Sequence, residues 1–120
     1  MDTRDSKENI VTYMVPATMQ TASSGRKFES FGIRELEPAD EMMATQRASG
    51  SAIRLAFELA LQSLSHVNGK RVTLADGTAD LAWKEMGPKL RNLVMSAYSQ
   101  MSQASNEEVA AFLGSRKITV

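Results

Sequence analysis

"SAIRLAFELALQSLS", residues 51–65, constrains this chain more than any other stretch. Ile53, Ala56, Phe57, Ala60, Leu61 and Leu64 recur at three- and four-residue steps, the spacing that lines one face of an α-helix. A stripe of this kind needs a cover, so the segment predicts a helix packed against other elements. Arg54 and Glu58 stand four apart and predict an ion pair on its solvent side. The stretch is too short, and too interrupted by charge, to span a bilayer.

The elements after it are marked by turn and cap chemistry. Asn68-Gly69, between "HV" and "KRVTL", is the dipeptide of a two-residue hairpin turn, where both central residues take positive φ. Asp76-Gly77 marks a second turn, with Thr78 as a candidate helix cap. A short helix through Leu81, Ala82 and Trp83 is expected to end at Gly87-Pro88. Pro88 then suits the first turn of the next helix, with Leu90, Leu93, Val94, Ala97, Tyr98 and Met101 on one face. "SNEE", residues 105–108, is a capping box that opens a last helix with Val109, Phe112 and Leu113, closed by Gly114. The tail "SRKITV" is basic and then β-leaning.

Upstream, Phe28, Phe31 and Ile33 suggest a short extended piece. Pro38, with Glu37, Asp40 and Glu41 around it, predicts a helix over about 38–48 that stops near Gly50. Residues 1–26 are rich in Ser, Thr and Asp and read as a flexible arm. The alternative makes Ile10, Val11, Tyr13 and Val15 an edge strand, or a segment that orders on a partner. The expected architecture is therefore mainly α. A helical domain over 27–120 has four to five helices and one short β-hairpin, preceded by a flexible N-terminal arm over 1–26.

Composition narrows the function classes. A chain of 120 residues suits one domain with a modest core. Fourteen basic residues balance fourteen acidic ones, so no net field calls for nucleic acid or an anionic membrane. With no Cys there is no disulfide framework or thiol nucleophile, which fits a reducing compartment. The charged start "MDTRDSKENI" lacks the apolar run of a signal peptide.

Catalytic motifs are missing from the sequence. His66 is the sole histidine, and no G-x-S-x-G elbow accompanies Ser63 or Ser65. One His without Cys makes a poor metal ligand set. "NGKRVT" lacks the upstream glycine and following Ser or Thr of a phosphate loop. The expectation is a protein that is not an enzyme and uses no cofactor.

Eight methionines are the compositional excess. Met side chains re-pack readily, and Met42 and Met43 are neighbours that point about 100° apart on a helix, so both cannot face one core. Met42, Met43, Leu90, Met95, Tyr98 and Met101 are accordingly the candidate partner-binding residues, on chemistry alone. Trp83, the one Trp, is expected inside the core.

The order of features also resembles a known family. "FGIRELEPADEM", then an amphipathic helix, "VNGKRV", "WKEMGPKLRNLVMSAYSQM" and "SNEEVAAFLGSRKI" together resemble the tail assembly chaperones of long-tailed bacteriophages. The similarity covers about residues 28–118. It implies a small helical protein of the infected bacterial cytoplasm, usually absent from the finished virion. Such a protein coats the tape measure protein, helps recruit subunits of the major tail tube protein and self-associates as a homo-oligomer. Many relatives also have a longer frameshifted form, and a chain ending in "SRKITV" looks like the short one. The family has no catalytic residues to carry over. The alternative is a neck, tail-completion or other minor tail component that stays in the virion.

Overall fold

The computed structural model describes residues 9–115, so the ends of the proposed arm and of the basic tail, residues 1–8 and 116–120, lie outside it. Strand β1 (Ile10–Met14) pairs antiparallel with β2 (Ser30–Arg34), Thr12 opposite Gly32. Helix α1 (Pro38–Ala48) and helix α2 (Ala52–Ser63) follow as a helical hairpin. Strands β3 (Leu64–Val67) and β4 (Lys70–Arg71) form the hairpin at Asn68-Gly69, where φ is 54° and 80°. Helix α3 (Thr78–Ser102) and helix α4 (Asn106–Gly114) complete the chain.

Two expectations are overturned here. The fold is not mainly α with one hairpin: the described residues form a mixed fold, with four α-helices and a four-stranded antiparallel sheet of order β1-β2-β3-β4. Nor do residues 9–26 form a flexible arm. "IVTYM" is rich in β-branched and aromatic side chains and finds its partner in "SFGIR", sixteen or more residues away. The segment between them is itself tied down. Thr21 bridges Lys27, Phe28 N–H donates to Gln20 C=O at 2.7 Å, and Val15, Ala22 and Phe28 enter the core.

Cross-strand partners share a face. Val11, Tyr13, Ile33, Phe31, Leu64 and Val67 therefore lie on one side of the sheet. The buried side chains of α3, Ala82, Met86, Leu90, Val94 and Ala97, join Phe31, Ile33, Leu64 and Val67 in one core. Each large side chain removed from water there contributes about 1.5–3 kcal/mol.

Helix α3 breaks where the sequence says it should. Gly87 takes φ 78° and ψ 170°, a conformation closed to residues with a Cβ, and Pro88 begins the second half. Carbonyls of the last turn before the break still need donors. Arg91 Nε donates to Trp83 C=O at 2.7 Å, Arg91 Nη2 to Lys84 C=O at 3.0 Å, and Ser24 Oγ to Glu85 C=O at 2.8 Å.

The stripe on α2 is only half covered. Ala60, Leu61 and Leu64 are buried, but Ile53 is 72% exposed and Phe57 turns outward to meet Trp83 edge-on, ring centroids 6.3 Å apart. Trp83 is thus half-buried rather than inside, with Arg91 lying over its ring at 5.9 Å. Glu58 does not pair with Arg54. Arg47 Nε lies 2.6 Å from Glu58 Oε2, a contact of charge more than of hydrogen-bond direction, and Arg47 Nη2 donates to Asp80 at 2.9 Å. That triad joins α1, α2 and α3.

Candidate partner-binding surfaces

Helix α1 begins in a box built by two acids. Glu37 N–H donates to Asp40 Oδ2 at 2.9 Å, and the Arg34 guanidinium holds both Asp40 oxygens at 2.9 and 3.1 Å. These bonds, Arg34's first, keep the Asp40 carboxyl below its ordinary pKa. The buried residues of α1 are Ala44 and Ala48. Small side chains let α1 lie close to α2, and its larger apolar residues turn to solvent. Met42 is 64% and Met43 49% exposed.

The other candidates separate. Leu90 is 2% exposed and belongs to the core, so it is not a contact residue; it sits where the second half of α3 crosses the sheet. Met95, Tyr98 and Met101 are half-buried at the edge of that core. Tyr98 and Met101 line a pocket of about 220 Å³ with Arg34, Leu36 and Glu41. Burial, then the Glu41 charge, raises the Tyr98 phenol above its usual pKa. Met95 lies on a different groove, beside Asn92, Ser99 and Gln103. Met43 borders a third cavity of about 470 Å³ with Arg34, Arg47, Gln62, Ser65 and Leu74. Gln62 is buried there, and its Nε2 lacks an acceptor among the described residues. The six candidates do not converge on one site.

Sequence reasoning missed other apolar surface. All nine residues of α4 are exposed, Phe112 at 74% and Leu113 at 62%, so among the described residues nothing covers this amphipathic helix. The extended residues before it, 103–105, were the available signal, since they detach it from α3. Ile53 and Met14 are exposed as well.

Polar chemistry is local. Ser65 Oγ lies 2.8 Å from His66 Nδ1, but Ser65 is buried, while the His66 ring covers Gly32. A Cβ at Gly32 would stand 2.9 Å from that of His66. Among the described residues no three His, Asp or Glu gather to hold a metal, and no helix is long and apolar enough to cross a membrane. Compared with known families, curated proteins and solved structures, the chain matches no family model, no curated protein and no solved structure.

Proposed function

We propose that this chain is a bacteriophage tail assembly chaperone, which covers apolar segments of the tape measure protein and helps bring tail tube subunits to it. The observation that carries this reading is apolar surface left open on the helices, above all Met42 and Met43 on α1 and Phe112 and Leu113 on α4. Adaptable methionines and an unpartnered amphipathic helix suit a protein that shields long amphipathic helices until they assemble. The resemblance in the order of features over residues 28–118 is what points to these partners in particular.

Co-expression with the tape measure and tail tube proteins of the source phage, followed by affinity capture and light scattering, tests it. A soluble complex with many copies per tape measure chain is the expected result. Replacing Met42 and Met43 together with Ser should weaken that complex at least several-fold and leave the melting temperature nearly unchanged, because neither side chain is in the core. Absence of any complex, with the chain found by mass spectrometry in purified virions, would favour a neck or minor tail component instead.

A further inference from the structure

The two edges of the sheet differ. The edge formed by β4 is two residues long and both are basic, Lys70 and Arg71, the kind of short charged edge that discourages strand addition. The edge formed by β1 has five residues, Ile-Val-Thr-Tyr-Met, with no charge, no proline and no bulge in its pairing with β2. Among the described residues, none of the protective devices is present on it.

Its free backbone groups can be assigned. Glu35 N–H donates to Asn9 C=O and Val15 N–H to Glu29 C=O, and each of these lies within a directly opposed pair. Antiparallel pairs alternate between bonded and non-bonded. Asn9, Val11, Tyr13 and Val15 therefore turn their N–H and C=O groups toward β2, while Ile10, Thr12 and Met14 turn theirs outward.

We infer that β1 is a self-association edge: two copies of this chain join antiparallel through β1, about a two-fold axis at Thr12, making one continuous sheet. In that register Thr12 faces Thr12, and Ile10 of one copy faces Met14 of the other. All three outward residues then form bonded pairs, and each pair exchanges two hydrogen bonds. On one face, Met14, which is 72% exposed, is covered by Ile10 of the second copy. On the other, the half-exposed Val11 stands opposite Tyr13, a β-branched residue against an aromatic, beside an apolar groove of about 270 Å³ lined by Tyr13, Val15, Leu93 and Ala97. No like charges meet within the strands, and zero net charge leaves no long-range repulsion between copies. The strand is its own complement, which favours a second copy over an unrelated segment. A five-residue junction buries less than the roughly 800 Å² per partner of a standard interface, so the association is a concentration-dependent equilibrium.

This inference does not rest on the chaperone reading, and its test uses the full chain alone. Sedimentation over a wide concentration range should show a monomer–dimer equilibrium for the wild type. Met14→Lys places a cation against Ile10 of the second copy, and Thr12→Pro removes the outward N–H at the axis without touching a β1–β2 bond. Each should weaken association at least ten-fold while the circular dichroism stays native; should Thr12→Pro not fold, Met14→Lys decides alone. The chain lacks Cys, so Thr12→Cys offers a single thiol whose Cα lies about 5.5 Å from its symmetry mate, within disulfide reach. Mild oxidation should link it much faster than Ser99→Cys, placed on exposed α3 surface. A wild type that stays monomeric throughout overturns the inference. So does a dimer indifferent to Met14→Lys, or equal linking rates for the two thiols.

Discussion

Asn68 illustrates how far one side chain reaches. Its backbone makes the hairpin turn with φ 54°, a conformation costly for most residues with a Cβ. Its side chain also braces the start of β2: Oδ1 accepts from Glu29 N–H at 2.6 Å and Ser30 N–H at 3.3 Å, and Nδ2 donates to Lys27 C=O at 2.9 Å. Asn68→Ala loses both roles and should cost about 2–4 kcal/mol in chemical denaturation, whereas Asn68→Gly keeps the turn and should cost about half as much. Equal losses would assign the whole effect to the brace. The turn was legible in the dipeptide; the brace was not, because its partners lie some forty residues upstream. Asp40 is a second case. Its folded pKa is below the ordinary 3.8, so its stabilisation is complete above that value and is lost as pH falls through the folded one. Asp40→Asn should therefore cost about 1–2 kcal/mol at pH 7, and the gap to the wild type should begin to narrow only below about pH 4. A gap that does not narrow as the pH falls would place the loss in the altered cap geometry instead of the charge.

Among elements, those with local punctuation were the legible ones. Pro38 with its acids, Asn68-Gly69, Gly87-Pro88 and the Ser105–Glu108 box each fix a boundary through chemistry within a few residues. The β1–β2 pair has no such mark: its strands are joined by residues 15–29, which hold a 3-10 turn and a bridge of their own, and only the tertiary pairing reveals it. The stripe on α2 failed in another way. Periodicity says which residues share a face, but not how much of that face its neighbours cover, and only the half from Ala60 onward is buried. Thr78 was misplaced by one residue: Gly77 is the cap, and the Thr78 hydroxyl instead accepts Thr73 N–H at 2.8 Å. At the α3 break, Arg91, in the second half, serves carbonyls of the first half. Arg91→Ala should cost about 2 kcal/mol, and Arg91→Lys should recover less than half, since one ammonium cannot serve two carbonyls with the guanidinium's fixed fork. Full recovery by Lys would reduce the role to charge near Trp83.

Over the whole molecule, the described chain is longer than its size requires. A compact chain of this length has a radius of gyration near 13 Å, and the observed value is 16.6 Å with extents of 62 × 36 × 32 Å. The sheet, the α1–α2 hairpin and α3 form one packed body; α4 stands off it with its apolar residues in solvent. The energetics follow from that separation. A helix of nine residues is marginal in water by itself, and the Ser105–Glu108 box contributes only about 1 kcal/mol to its start. Without packing, α4 adds little to global stability, so its apolar side chains are retained at no gain to the fold. A chain ending at Gln103 should then unfold at the same urea midpoint, within about 0.5 kcal/mol of the full chain. If α4 is a capture surface, the same truncation should lower the yield of the tape measure complex, while Met42→Ser with Met43→Ser lowers it through α1. The two changes lie on separate elements, so their effects on binding should add when combined. A truncation that costs more than about 1 kcal/mol would mean that α4 docks on the body in solution, and its apolar face would then belong to the core and not to a partner.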